Sequence, residues 1–130
     1  MTILALLTTA LLFGGMILYS FGFAAFIFHA LPPEQAGPVI RRAFPWFYLF
    51  VLAASAIAAG FALASDMAAA GALAAIALTT IYARQSLMPA INRATDSGDK
   101  ARFRRLHGLS VAITLAHIAA SGWVLTRLSA

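Results

Sequence analysis

Residues 45–88 of this chain read PWFYLFVLAASAIAAGFALASDMAAAGALAAIALTTIYARQSLM, two long apolar runs with one short polar turn between them. Each run has roughly the 20 residues that an α-helix needs to cross a bilayer core of about 30 Å. Because the turn Ser65-Asp66-Met67 is so short, the two helices are predicted to be antiparallel neighbours. The stretch therefore predicts a transmembrane hairpin.

The sequence on either side adds one apolar segment before this hairpin and one after it. The first segment lacks a basic start and is too long for the apolar region of a cleavable signal peptide. We therefore predict a single all-α integral membrane domain over residues 1–130, folded as a four-helix transmembrane bundle. The predicted helices cover about residues 3–29, 45–64, 68–88 and 99–126, with a short surface helix at about 34–44.

The composition excludes an ordinary soluble domain. Hydrophobic residues make up 62% of the chain and charged residues 10%, against about 25% charged residues in typical soluble domains. Cysteine is absent, which excludes disulfides, thiolate metal sites and cysteine catalysis. A net charge of +5 would ordinarily suggest a nucleic-acid partner. Membrane topology accounts for that charge, so the predicted partner is the lipid bilayer and not nucleic acid.

The basic residues also predict the orientation. The loop between predicted helices 2 and 3 holds only Asp66, while the other two loops hold all the basic residues of the loop regions. The positive-inside rule therefore predicts cytoplasmic polar loops and both termini outside, in a bacterial inner (cytoplasmic) membrane. The seven basic residues concerned are Arg41, Arg42, Arg93, Lys100, Arg102, Arg104 and Arg105.

Ionisable residues near a membrane are the first candidates for function. His29 closes the first predicted helix and His107 begins the membrane part of the fourth, so both lie on the predicted cytoplasmic side. Two neutral imidazoles from facing helices can ligate haem iron or another transition metal. His29 and His107 are therefore the candidate metal and cofactor ligands. The alternative is that each bonds only to a loop carbonyl or a headgroup.

Two arginines complete the candidate cofactor site. If the histidines ligate b-type haem, Arg84 and Arg93 on the same side are expected to hold its propionates. His117 lies ten residues beyond His107, about 15 Å deeper along the helix, so it cannot share the same metal. We expect His117 to hydrogen-bond a hydroxyl or carbonyl of a neighbouring helix. No nucleotide, metalloprotease or nucleophile-elbow motif is present, and we predict no catalytic residue.

Several short motifs in the polar loops resemble a known family, the transmembrane protein 205-like family (domain of unknown function 4149). The resemblance implies a four-helix membrane protein, and eukaryotic relatives are linked to platinum-drug resistance. The motifs are GG at 14–15, FIFHALP at 26–32, AG at 36–37, AFPWFY at 43–48, MP at 88–89, IN at 91–92, Asp96, and RFRRLHGLS at 102–110.

The predicted fold is also similar, more distantly, to copper-resistance D (CopD) and HemJ-type membrane proteins. The HemJ-type proteins are haem-associated protoporphyrinogen oxidases with a histidine toward the end of the first helix, which is where His29 stands. They carry an essential lysine within a later helix, but the only lysine here, Lys100, lies in a loop. The resemblance therefore implies haem more than oxidase activity, and whether the chain is an enzyme stays open.

Three hypotheses of function follow from the sequence. The first is a small membrane protein that binds b-type haem, or a related porphyrin or metal, through the histidine pair. The second is a structural or accessory subunit of a larger membrane complex, suggested by the small-residue stripe Ala56, Gly60 and Ala64. The third is a metal- or drug-permeation component, which would need a homo-oligomer because four short helices rarely enclose a pore.

Overall fold

The computed structural model describes residues 1–130 and consists of four long helices joined by short turns. The helices are α1 (Thr2–Ala30), α2 (Pro33–Ala62), α3 (Met67–Asp96) and α4 (Lys100–Leu128). Each has 29 or 30 residues and is long and apolar enough to cross a membrane. The predicted all-α, four-helix transmembrane bundle is confirmed, and the chain is a small membrane protein.

The helices pack in chain order around a square. Helix α1 contacts α2 and α4, and α3 contacts the same two helices. The α1–α2 and α3–α4 loops therefore lie at one end, which we call the charged end because it carries the seven basic residues that predict the orientation, out of nine in the chain. The other end, which we call the terminal end, carries both termini and the α2–α3 turn. The predicted hairpin of α2 and α3 is confirmed.

Helix α2 differs from its prediction. The sequence predicts a separate surface helix at about 34–44 and a membrane helix that begins near Pro45. The structure has one continuous helix, with Pro38 and Pro45 inside it. A proline in a helix removes one backbone donor and crowds the carbonyl four residues earlier. The continuous helix therefore needs support from its neighbours.

Side chains of the neighbouring helices donate to backbone carbonyls around Pro45. The Tyr19 hydroxyl of α1 donates to the carbonyl of Ala43 at 2.9 Å, and Arg84 Nε of α3 donates to the carbonyl of Pro45 at 3.3 Å. The carbonyl that loses its helical donor at Pro45 is that of Arg41, so these two bonds do not replace the missing one but tie the flanking turns of α2 to α1 and α3. Side chains that are distant in the sequence thus support α2 on both sides of Pro45.

Helix α3 also passes through a proline where the sequence predicts its end. The segment Ala83–Leu87 is π-helical and lies directly before Met88 and Pro89. A π turn is wider than an α turn, so it gives the proline ring room where an α-helix would clash. As a result α3 extends to Asp96. A second π segment, Leu18–Phe23, lies in the middle of α1.

The buried small-residue stripe of α2 is not the one that the sequence singled out. The stripe Ala56, Gly60 and Ala64, a pattern typical of a close helix–helix contact, is exposed on the outside of the bundle and is not part of its core. The residues that pack against the other helices lie two positions earlier in each case. They are Ala54, Ala58 and Ala62. Both stripes have four-residue spacing, and spacing alone does not tell which one faces inward.

The interface of α1 and α2 is closest at Gly15. A Cβ atom on Gly15 would lie 2.6 Å from two ring carbons of Phe50, whereas one on Gly14 would meet nothing within 4 Å. Glycine at position 15 therefore allows the phenyl ring to lie directly against the backbone of α1, as small residues do at helix contacts in membranes.

Asp66 joins three elements at the terminal end. Its carboxylate accepts hydrogen bonds from the amides of Ala68 and Ala69, both at 3.0 Å, and so caps the start of α3. It also accepts from Arg127 Nε at 2.9 Å, and that guanidinium lies 4.9 Å from the ring centre of Trp123. The bond from Arg127, followed by that from Ala69, holds the pKa of Asp66 below its usual value.

We expect Asp66→Ala to lower the thermal unfolding midpoint of the purified protein, because it removes both the cap and the ion pair. Asp66→Asn keeps an oxygen that can cap α3, so its unfolding midpoint should lie between those of the parent and Asp66→Ala. A lowered pKa means that the ionised carboxylate stabilises the fold at pH above about 3.9, the ordinary value for aspartate. The advantage of the parent over Asp66→Asn should shrink as the pH falls through the folded-state pKa. Thermal melts followed by circular dichroism at a series of pH values around this pKa test the prediction. A difference between the parent and Asp66→Asn that does not change with pH would contradict it.

Candidate functional site

A cavity lies between the helices at the charged end. Helix α1 packs against α4 near the terminal end, but its last segment, Ala24–Ala30, packs on α2 instead. The space left has a volume of about 750 Å³, and all four helices line it. Phe21 and Phe28 of α1 and Val111 of α4 border the cavity and are exposed on the surface of the bundle. The cavity therefore opens sideways, between α1 and α4.

The mouth of the cavity, toward the charged end, is polar. Arg41 lines it and forms a two-pronged ion pair with Asp96, with Nη1 to Oδ1 at 2.7 Å and Nη2 to Oδ2 at 3.0 Å. The pair connects α2 to the end of α3. Asn92 and Thr95 of α3 complete this part of the lining.

His107 lines the mouth as well. Its ring stacks on Phe103, with ring centres 5.3 Å apart and planes within 8° of parallel. His29, the other histidine of the predicted pair, is exposed at the end of α1 and is not part of the lining. The structure thus brings one of the two histidines to the cavity, and joint ligation stays a prediction. No group of three or more His, Cys, Asp or Glu residues could hold a metal ion.

The two arginines predicted for haem propionates lie outside the cavity. Arg84 donates to the carbonyl of Pro45 and, at 3.2 Å, to Gln85 Oε1. Arg93 is exposed. The cation that does line the cavity is Arg41, which the sequence analysis did not select. Its place on the same face as Tyr48, seven residues along, becomes visible only when α2 is read as one helix through Pro45.

The inner end of the cavity, which we call the floor, carries hydroxyl groups from three helices. Ser20 comes from α1, Tyr48 from α2, and Ser110 and Thr114 from α4. Ser110 and Thr114 lie 10 and 14 residues from the start of α4, about 15 to 21 Å into the bundle. None of the four was predicted as a site residue. Tyr48 and Ser110 belong to the family motifs AFPWFY and RFRRLHGLS, but nothing in those motifs indicates a role for their hydroxyls, and Ser20 and Thr114 lie outside the motifs.

A family model described as a domain of unknown function (DUF4149) matches residues 7–100. The chain belongs to this family. The matched part of the DUF4149 chain covers nearly all of α1 to α3, hence three of the four walls of the cavity. The motif at 102–110, which includes His107, lies beyond it. A comparison with curated proteins found no match, and neither did one with solved structures.

The third histidine of the DUF4149 chain lies apart from the cavity. His117 is buried between α3 and α4, and its Nε2 is 2.6 Å from the Thr79 hydroxyl oxygen. This confirms the expected bond to a hydroxyl of a neighbouring helix. The Thr79 hydroxyl oxygen is also 2.8 Å from the carbonyl oxygen of Ala75, so its proton can go to that carbonyl or to His117, and the tautomer of the imidazole decides which.

Proposed function

We propose that this DUF4149 protein binds a hydrophobic small molecule in the cavity at the charged end. The observation that carries the proposal is the cavity itself, about 750 Å³ and lined by all four helices. Ligand sites usually have volumes of about 300 to 1,000 Å³, with apolar walls and a few polar groups that fix orientation. Phenylalanine rings supply much of the wall here, and the polar groups are confined to the mouth and the floor. The lining phenylalanines are Phe21, Phe28, Phe44 and Phe103.

The orientation predicted by the basic residues belongs to this proposal. With the charged end in the cytoplasm, the side opening between α1 and α4 faces the cytoplasmic leaflet of a bacterial inner membrane. A hydrophobic ligand dissolved in that leaflet then reaches the cavity without crossing water.

Filling the cavity tests the proposal. Ala24 lines the cavity, whereas Ala53 is exposed on α2 outside it, so Ala24→Phe and Ala53→Phe form a matched pair. Equilibrium dialysis of protein in nanodiscs, with 2-methylnaphthalene as the probe and empty nanodiscs as the baseline, measures binding. We expect Ala24→Phe to weaken the affinity at least about tenfold, which is about 1.4 kcal/mol, and Ala53→Phe to leave it unchanged. Retention equal to that of empty nanodiscs would overturn the proposal.

A second candidate is b-type haem, favoured by the position of His107 on the cavity wall. His107 would supply one iron ligand, and Arg41 is the cation placed to meet a propionate at the mouth. No second histidine lines the cavity, so the residues fit haem held by one imidazole better than by two. The distant resemblance to HemJ-type proteins supports this candidate. Of the residues predicted from the sequence to hold haem, which are His29, His107, Arg84 and Arg93, only His107 lines the cavity.

Absorption spectra of the purified protein, oxidised and dithionite-reduced, before and after addition of haem, test the second candidate. We expect a Soret band that His107→Ala abolishes. His29→Ala serves as the comparison: an unchanged band indicates one histidine ligand, and loss of the band in both variants indicates the predicted pair. A featureless spectrum after haem addition would overturn haem binding and leave the proposal of a hydrophobic ligand standing.

A further inference from the structure

Most hydroxyl groups inside this bundle are satisfied by their own helix. Thr8, Ser55 and Thr80 each donate to the carbonyl four residues earlier, at 2.6 to 2.7 Å. Ser121 donates to the carbonyl three residues earlier, at 3.0 Å. This arrangement is expected in a membrane, because a polar group without a partner in hydrocarbon costs free energy.

The floor of the cavity departs from this rule. The Ser20 hydroxyl is buried and has no hydrogen-bond partner. The hydroxyls of Tyr48 and Ser110 are 3.5 Å apart, at the outer limit of a hydrogen bond. Thr114 adds a fourth hydroxyl, four residues and about one helical turn deeper than Ser110 on α4. Hydroxyl groups with donor capacity to spare are thus gathered at the inner end of the cavity.

We propose that these hydroxyls receive a carbonyl oxygen of the ligand, and that the ligand is a planar carbonyl compound of the quinone class. This inference rests on the proposed binding of a hydrophobic molecule in the same cavity. The ionised side chains of the lining stay at the mouth, so the floor offers nothing to neutralise a carboxylate or phosphate. A carbonyl oxygen is a neutral acceptor, and the Tyr48 and Ser110 hydroxyls can both donate to it.

Ser20 supports this assignment because its buried hydroxyl has no hydrogen-bond partner within the protein. Ser20 is a lining residue and its hydroxyl makes no hydrogen bond, so a χ1 rotation that brings the hydroxyl to a ligand would break none. The planar shape of the ligand follows from the walls, where phenylalanine side chains from three helices can lie against the faces of a ring.

A pair of probes that differ only in the carbonyl groups tests the inference. Menadione and 2-methylnaphthalene share the same fused rings and methyl group, but only menadione has carbonyls. The chain has no cysteine, so the quinone cannot form a thioether with it. In nanodiscs, corrected for partition into empty discs, menadione should bind about tenfold more tightly, as one or two additional net hydrogen bonds imply.

Three variants assign that preference to the floor. Ser20→Ala and Tyr48→Phe should each reduce the ratio of menadione affinity to 2-methylnaphthalene affinity from about tenfold to about threefold or less. Ser20→Ala should unfold at the parent temperature because it breaks no hydrogen bond. Thr9→Ala is the control: its hydroxyl is also buried without a partner, but Thr9 is not part of the cavity lining, so both affinities should stay the same.

The outcomes separate the two proposals. If 2-methylnaphthalene binds and menadione binds no more tightly, or if neither floor variant reduces the preference, the carbonyl assignment is overturned and the hydrophobic site stands. If neither probe is retained above empty nanodiscs, both proposals are overturned. A menadione preference that falls in the floor variants and persists in Thr9→Ala establishes the carbonyl site.

Discussion

Gly15→Leu should lower the free energy of unfolding by about 1 to 3 kcal/mol, the usual cost of overpacking a closed interface. Even a single added carbon would lie 2.6 Å from two atoms of the Phe50 ring, and leucine adds three more. The ring must then leave its place against α1, or α1 and α2 must separate. Either change removes packing from the interface that supports α1 in the bundle.

Gly14→Leu is the matched control for this change. The same residue is added one position earlier, where a Cβ atom meets nothing within 4 Å, so we expect no loss of stability. Unfolding in mixed micelles by titration with sodium dodecyl sulfate, followed by tryptophan fluorescence, measures both variants. Equal destabilisation of the two would show that leucine in α1 is harmful in itself and that the contact with Phe50 is not the cause.

Thr79→Val should cost about 1 to 2 kcal/mol, because it leaves Nε2 of buried His117 without its hydrogen-bond partner. The reverse change is milder. In His117→Leu the Thr79 hydroxyl keeps its bond to the carbonyl of Ala75, so no polar group loses its only partner. Although both substitutions remove the same hydrogen bond, His117→Leu is therefore expected to lower the free energy of unfolding less than Thr79→Val.

The double variant Thr79→Val/His117→Leu completes a cycle with the two single changes. We expect it to be about as stable as His117→Leu alone, since the group that Thr79→Val leaves unsatisfied is then absent. The same titration in mixed micelles applies. Additive losses in the double variant would contradict the role of Thr79 as the hydrogen-bond partner of His117.

Hydropathy and charge are sufficient to predict the four helices and the α2–α3 hairpin, because both follow from the length of apolar segments and turns. The prolines are where prediction and structure differ. Pro45 and Pro89 are helix breakers by local rules, yet both lie inside helices here. A donor from Arg84 and a π segment support these positions, and neither is encoded in the few residues around each proline.

The candidate site was predictable only in part. His107 stands out in the sequence as an ionisable residue near a membrane boundary, and it lines the cavity. The hydroxyls of the floor do not stand out, because their significance comes from the partners they lack. Which face of α2 is turned toward the core is likewise set by packing and cannot be read from the spacing of small residues. The stripe that contains Ala58 is buried, and the stripe that contains Gly60 is exposed.

Because the cavity opens sideways between α1 and α4, the affinity of this protein for a membrane-dissolved ligand is properly expressed relative to lipid and not relative to the volume of water. A ligand that arrives through the hydrocarbon has its chemical potential set by its mole fraction in the leaflet and not by its molarity in water. Occupancy then depends on the ratio of ligand to lipid, so diluting a sample with buffer leaves the cavity filled, while adding empty vesicles drains it. Lipid chains that enter through the side opening, which Phe28 and Val111 border, would compete with the ligand at a concentration that the volume of buffer does not change.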